Sequence, residues 1–288
     1  MRLSEQPMGE YPRISIVMPS YNQAPFLEEA IVSVLDQAYP DLEFILLDGG
    51  STDGSKAILE KYTANFKYWQ SRSDGGQLEA LIQGFSMATG ELLGWVNSDD
   101  VLLPGALKSL AATYASAPDG GLFGGNYILI DRYGIVTRVK RHTGQAAFFA
   151  RSGLVAVNQP GSLVTRESFD RVGGFDPRFD YVMDTDLYYR ILAAGYRYVH
   201  LGRCLSGFRI HSQAKTVAQL DRANAAGRLA RASWFSDRRA LRARLKLARV
   251  SYRVWQSVNG NYARSAVDTF SARGSTWKTW AATHVSTP

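Results

Sequence analysis

The sequence predicts an α/β fold: a mostly parallel central sheet flanked by helices, followed by a helical extension at the C-terminal end. Three observations predict it. Short apolar runs alternate with amphipathic helical stretches from residue 14 to about residue 103, the βαβ rhythm of a parallel sheet. Each of these apolar runs ends in a polar turn. Past residue 216 the strand pattern stops and a basic helical periodicity replaces it.

Residues 14–18 (ISIVM) read as the first strand, with Pro19 to Asn22 as its exit turn. Leu27, Ile31, Val34 and Leu35 then share one face of a helix, which Asn22 or Gln23 can cap. The second strand, 42–47, runs into Asp48-Gly49-Gly50-Ser51-Thr52-Asp53-Gly54. The glycines there admit unusual dihedrals, and Thr52 or Asp53 can cap the following helix. A third strand, 66–70, leads to Asp74-Gly75-Gly76 and to a helix with Leu78, Leu81, Ile82 and Phe85 on one side. The fourth strand, 92–96, ends at Asn97-Ser98-Asp99-Asp100. Beyond it the pattern gives a helix to about residue 117 and a hairpin of 122–131 with 135–140. A strand at 162–165 and a helix at 186–194 come next, then two closing strands, 198–201 and 206–210, that deliver His211 to the same rim. We expect a body spanning 1–216, in halves 13–103 and 104–216, and an extension spanning 217–288. Ligands of open α/β sheets bind outside the carboxyl ends of the strands, so the four turns should share one crevice.

At 288 residues, 45% hydrophobic and 20% charged, the chain can bury a full core without staples. Its single cysteine, Cys204, has no partner for a disulfide or a structural zinc. No apolar run of signal-peptide length opens the sequence, and no uncharged stretch reaches about 18 residues. The expected location is therefore the cytoplasm, including the inner face of the plasma membrane. The net charge of +7 is unevenly placed: between Arg222 and Arg253 stand ten basic residues and one acid, Asp237, which leaves the remainder at −2. A mildly acidic body argues against nucleic acid as its partner. In the extension, Trp234, Leu241, Leu245, Ala248, Tyr252 and Trp255 form one helical stripe beside Arg239, Arg242, Lys246, Arg249 and Arg253. Such a helix suits an anionic membrane surface, packing against the body, or a homodimer interface.

Asp48, Asp74, Asp99, Asp100, Asp184 and Asp186 all fall at expected strand exits or helix starts. Gathered in one cleft they repel unless a cation or proton sits among them. Hard oxygen ligands beside a diphosphate suit Mg2+ or Mn2+; the alternative is that some of these acids are helix caps, Asp53 and Asp100 above all. No G-x-G-x-x-G follows the first strand, and no P-loop or G-x-S-x-G elbow occurs. Dinucleotide, ATPase and serine-hydrolase chemistry thus lose support. His142, His200 and His284 read as structural or solvated.

The strings ISIVMPSYNQAPFLEEAIVSVLDQ, FILLDGGSTDGS and SDGGQLEALIQGFSMATGELLGWVNSDD resemble the N-terminal half of family 2 glycosyltransferases, inverting enzymes of GT-A fold. The likeness continues through PGSLVTRESFDRVGGFDPRF, MDTDLYYRI and FRIHSQAKT, covering roughly residues 13–216. It implies that Pro19, Ser20, Tyr21 and Asn22 line a nucleotide pocket, that Asp48 accepts hydrogen bonds from the base edge, and that Asp74 sits by base or ribose. Asn97-Ser98-Asp99 holds the family's DxD position, with Asp99 the metal ligand toward the sugar-nucleotide diphosphate. Asp184 matches the second residue of the "ED" pair, the general base, with Asp186 as the alternative. His211 corresponds to a C-terminal histidine that completes metal or phosphate binding, and Lys215 adds positive charge nearby. Gly49, Asn97 and Met183 depart from the family pattern; the second of these shifts metal ligation toward Asp99 and His211. For the acceptor, Trp69, Trp95, Tyr181 and the 158–162 loop are candidates, with core packing the competing role of both tryptophans. The implied reaction moves a sugar from a nucleotide-diphosphate sugar, UDP-linked first, to a glycan or lipid-linked saccharide, in bacterial cell-surface polysaccharide synthesis. A noncatalytic sugar-nucleotide or glycan-binding module and a sugar nucleotidylyltransferase are the rival readings.

Overall fold

The structure, a computed structural model, describes residues 11–142, 144–150, 152–215, 220–235 and 238–285. Its centre is β1 (Ile14–Ser20), all seven residues of which are buried. Burial on both faces is why this strand reads as a continuous apolar run rather than an alternating one. β1 pairs in parallel with β2 (Leu42–Asp48) on one side and β4 (Leu92–Trp95) on the other, and β2 pairs with β3 (Tyr68–Ser71). The helices α1 (Ala24–Leu35), α2 (Ser55–Lys61) and α3 (Gln77–Met87) connect them. The chain thus steps outward from β1 to β3 and returns past β1 to β4. That reversal leaves a crevice at the strand ends between β1 and β4.

The sheet continues through β5 (Val101–Leu102), β6 (Gly120–Ile130), β7 (Val136–Lys140), β8 (Leu163–Thr165) and β9 (Arg197–Arg209). Its order is β3-β2-β1-β4-β8-β6-β9-β5, with β7 on β6. Pairing around β8 is antiparallel, and β6 runs parallel to β9. The sheet is therefore mixed but mostly parallel where the four turns gather. α4 (Ala106–Ser116), α5 (Ala146–Ala150), α6 (Arg166–Arg171) and α7 (Met183–Ala193) complete the body. Along β1, Ile14, Ile16 and Met18 pack into one apolar layer with Leu27, Ile31 and Leu107, while Val17 points into the other with Leu81, Phe85 and Leu187.

Several elements differ from expectation. A 3-10 turn at Thr63–Asn65 delays β3, and Phe66 packs against Phe44 instead of opening the strand. The two expected closing strands are one strand of 13 residues, β9, whose register on β6 shifts near Gly202. Asn126 bridges this irregularity by donating to the Gly202 carbonyl at 2.7 Å. α7 begins at Met183, three residues earlier than predicted, which places Asp184 in its first turn.

Among the described residues four helices follow: α8 (Leu220–Trp234), α9 (Arg238–Val258), α10 (Asn261–Ala272) and α11 (Trp277–His284). They pack back onto the sheet, and the expected boundary at 216 lies outside the described residues. Ala272, Trp277, Trp280 and Ala281 share an apolar cluster with Val101, Ile128, Ile130 and Val136 of the sheet. Asp268 of α10 pairs with Arg141, and Ile135 bridges to Thr276. Among the described residues, no helix is long and apolar enough to cross a membrane.

Candidate active site

A cleft of about 910 Å3 opens at the β1/β4 strand ends, the size of a cofactor or sugar-nucleotide site. Pro19, Ser20 and Tyr21 from the β1 exit line it, as do Asp74, Gln77, Asn97, Ser98, Asp99, Asp184 and Lys215. The expected pocket residues thus converge, except Asn22, Asp48 and His211, which stand behind the lining.

Each exception has a physical cause. Asn22 has φ of +51°, a conformation asparagine tolerates better than most residues. Its amide donates to Ser51 Oγ at 2.7 Å and its Oδ1 accepts from Thr52 N at 2.9 Å, so it ties the first turn to the second. Asp48 is the last residue of β2, paired between Ser20 and Ser71, and it is fully buried. Its carboxylate accepts from Ser51 N (2.9 Å), Ser51 Oγ and Ser71 Oγ (2.6 Å). The Asp48 carboxylate therefore ties together the turns that frame the cleft. Gly49, by contrast, faces Tyr21 and Asp74: a Cβ there would stand 3.0 Å from Asp74 Oδ1 and 3.3 Å from the Tyr21 ring. Tyr21 is 62% exposed and offers a ring face. Ser20 Oγ is buried with no partner among the described residues.

The fourth turn is held by a chain of amides. Gln77 Nε2 donates to Asn97 Oδ1 at 2.8 Å, and Asn97 Nδ2 donates to Asp100 Oδ2 and Gln159 Oε1, both at 3.1 Å. Asn97 presents a donor to Asp100 where the family's usual aspartate would present a second negative charge. Burial, then the nearby Asp99, pushes the Asp100 carboxyl well above the usual range. Asp100 is hydrogen-bonded by the Arg209 backbone N–H at 2.9 Å, so it supports the turn from inside. Asp99 remains at the cleft, with its Oδ2 3.0 Å from His211 Nε2. The His211 side chain is nearly buried and leans on the Phe26 ring at 4.6 Å. Among the described residues no group of three or more metal-ligating side chains occurs.

Arg209 is the residue sequence reading missed. Only 2% exposed, it donates from Nε to the Asp99 carbonyl (2.8 Å) and from Nη1 to the Asp131 carbonyl (3.1 Å), and its Nη2 pairs with Glu29. Glu29 in turn accepts from Trp277 Nε1 at 2.8 Å. A lone arginine closing an apolar strand two residues before His211 was the available signal.

On the other wall, Asp184 accepts from Thr185 N (2.6 Å) and Thr185 Oγ1 (3.2 Å) through Oδ1 alone. Its Oδ2 has no partner among the described residues, and burial raises its carboxyl above the ordinary aspartate range. Asp186, 1% exposed, is engaged at both oxygens, by Arg190 Nε (2.8 Å) and Trp234 Nε1 (2.9 Å), and does not line the cleft. Lys215 Nζ bonds Asp180 Oδ1 at 2.9 Å and Gln77 Oε1 at 3.3 Å, bridging the two walls, and stands 4.6 Å over Tyr181. Trp95 packs among Phe85, Phe175 and Tyr188, although part of it reaches the cleft; Trp69 packs against the other core layer. His142 and His200 are structural: His142 meets Tyr252 Oη at 3.0 Å and His200 meets Tyr198 Oη at 3.1 Å.

Comparison with known proteins places this arrangement. The model of the family described as Glycosyl transferase family 2 matches residues 15–172. A chondroitin synthase of Pasteurella multocida is 26% identical over 226 residues, 73% of this chain and 22% of the synthase; the chain thus matches about a fifth of that relative's length. S. aureus TarS residues 1–349, crystallised with UDP-GlcNAc, superposes with a TM-score of 0.59 at 16% identity, covering 76% of this chain and 65% of that TarS fragment. The mannosyltransferase PcManGT of Pyrobaculum calidifontis, in complex with GDP-Man and Mn2+, gives 0.56 at 17% identity over 91% of this chain and 88% of its own. These two structures share the GT-A architecture of this chain.

Proposed function

We propose that this chain, which belongs to glycosyl transferase family 2, transfers a sugar from a nucleoside-diphosphate sugar to a hydroxyl of a glycan or lipid-linked saccharide, with inversion at the anomeric carbon. The observation that carries the reading is that one cleft receives both Asp99, paired with His211 at the end of β4, and Asp184, with an unengaged oxygen at the start of α7.

A divalent cation fits this donor set. Asp99 and His211 offer one carboxylate and one imidazole 3.0 Å apart, and imidazole favours Mn2+ over Mg2+. Asn97 adds no ligand, since its Oδ1 already accepts from Gln77. Two protein ligands suit an ion that completes its shell with diphosphate oxygens and water. When bound, such an ion neutralises charge on the departing diphosphate.

The remaining chemistry falls to the chain. Tyr21 stacks on the base, and Asp74 and the Ser20 hydroxyl take polar atoms of the nucleoside. Asp184 Oδ2 accepts the acceptor's proton while its oxygen bonds to the anomeric carbon and the bond to the diphosphate breaks on the opposite face. A carboxylate disfavoured in its charged form is a stronger base than a solvated one. Lys215 lends positive charge to the leaving group and keeps the walls together. The acceptor enters between Asp184 and the 158–160 loop. UDP-sugars are the first donor class, and assembly of a surface polysaccharide is the setting this reaction fits.

A thermal-shift panel of UDP-, GDP- and dTDP-sugars, with and without Mn2+, tests the reading. At about 100 times Kd one donor class should stabilise the protein by about 2.7 kcal/mol in Mn2+. Release of nucleoside diphosphate should then require an acceptor. Failure of every nucleotide sugar to shift the melting temperature overturns the proposal.

A further inference from the structure

The helix α9 carries apolar residues on two opposite sides. The inner side holds Ala248 and Gln256, both buried, with Tyr252 set edge-on to Phe149 at 5.1 Å. Gln256 fastens it further by donating to the Arg141 carbonyl at 3.1 Å. This side keeps the helix on the body. The outer side consists of Leu247, Val250, Val254 and Val258, spaced three, four and four residues apart. At 100° per residue they occupy a band of about 80° facing away from the inner stripe. They are 68%, 52%, 55% and 78% exposed.

An ordinary solvent face of a helix is polar, and three valines there are poor helix formers that gain nothing from packing. Lys246 and Arg253 run along one margin of the band and Arg244 along the other, all exposed. From Arg238 to Val258 the sequence holds seven basic residues and no acid. Val267 and Phe270 of α10 are 68% and 77% exposed as well.

We propose that the outer face of α9 docks on an anionic lipid bilayer, its aliphatic stripe entering the headgroup boundary and its basic margins contacting lipid phosphates. The charge pattern selects this occupant. A second copy would bring the basic margins, Arg244, Lys246 and Arg253, against the same residues of its partner in a self-complementary contact. Nucleic acid would leave the aliphatic stripe in water. An anionic bilayer satisfies both the apolar and the basic groups.

The full chain is sedimented with vesicles of phosphatidylcholine containing about one third phosphatidylglycerol, and with vesicles of phosphatidylcholine alone. Co-sedimentation with the anionic vesicles only, weakening as salt rises, is the expected result. Val254→Asp combined with Val258→Asp should lower partitioning about tenfold or more. Lys246→Gln and Arg253→Gln should each lower it about fivefold, the equivalent of one basic contact. Circular dichroism and melting temperature report whether the variants fold; should the aspartate pair not fold, the two glutamine variants and the wild-type salt series decide. The proposal is overturned by wild-type chain that stays in the supernatant with anionic vesicles, or by folded variants that bind undiminished. It is equally overturned by light scattering that shows a wild-type dimer which the aspartate pair dissolves.

Discussion

The two walls of the cleft hold their carboxylates in opposite ways. On the donor wall, four strand-end turns are cross-tied: Asn22 to Ser51 and Thr52, Asp48 to Ser51 and Ser71, Gln77 to Asn97, and Asn97 to Asp100. Asp48, Asp53 and Asp100 there are engaged in holding turns, while Asp74 and Asp99 line the cleft, Asp99 paired with a histidine. On the acceptor wall, Asp184 keeps one oxygen without a partner among the described residues, in surroundings that disfavour its charge. Acids that build a site are saturated with donors. The acid proposed to react is left short of them.

The largest expected effect sharpens this contrast within one helix turn. Asp184→Asn should lower transfer by about 10²- to 10⁴-fold, which is about 3 to 5 kcal/mol of barrier, and leave donor affinity within about twofold. Because burial disfavours the aspartate anion, the asparagine variant should also melt higher. Asp186→Asn should do the reverse, lowering stability with a smaller effect on chemistry, since Arg190 loses its buried partner. For the same reason the wild-type rate should rise with pH along a limb displaced above the ordinary aspartate range. Steady-state kinetics on both variants, with calorimetry, separates the two roles; equal loss of turnover in both would erase the contrast.

Arg209→Met probes the donor wall. Its guanidinium joins the Asp99 and Asp131 carbonyls and Glu29 from a nearly solvent-free position; removing it leaves the two carbonyls without that donor, at about 1 to 3 kcal/mol each, while Glu29, about a third exposed, turns to water. Urea unfolding should show that loss, and donor binding should weaken because the Asp99 carbonyl is no longer held. Unaltered donor affinity would mean that the amide chain through Asn97 positions Asp99 alone.

A third effect arises away from both walls. Burial lowers His142 and His200 to about 4 each, with mutual repulsion adding to the shift of His142. The unfolded chain takes up these protons below about pH 6.5. Stability should therefore be intact above pH 6.5 and fall between 6.5 and 4 by about 1.4 kcal/mol per pH unit for each histidine. His142→Phe should flatten the curve measured by urea titration across that range.

The contrast between the walls also explains what the sequence disclosed. β1, β2 and β4 are buried almost throughout and leave apolar runs ending in polar turns, so this wall was legible from pattern alone. The serine partners of Asp48 were not, because they follow from its position as the last paired residue of β2, which no motif records. Asp184 was legible as an acid at a helix start, and a role as general base for it only through family resemblance. Arg209 and Gln77 escaped because their partners lie 110 and 20 residues away, at Asp99 and Asn97. The outer stripe of α9 escaped because a second apolar stripe, the inner one, satisfied the same helical pattern. Long-range pairing and choice of face are set by packing, and local periodicity carries neither.

The smallest effect tests whether the donor wall ends at the sheet. Trp277 of α11 reaches Arg209 through Glu29, by the bond from its indole N–H. Trp277→Phe keeps the ring in its apolar cluster and removes that one donor. Glu29 is about a third exposed, so water replaces the bond and the loss should be about 1 kcal/mol. Arg209 would still hold the Asp99 and Asp131 carbonyls. Donor affinity, measured calorimetrically in Mn2+, should therefore change by less than about threefold. A loss as large as that of Arg209→Met would extend the donor wall through Glu29 into the C-terminal helices, and α11 would then belong to the site rather than to its support.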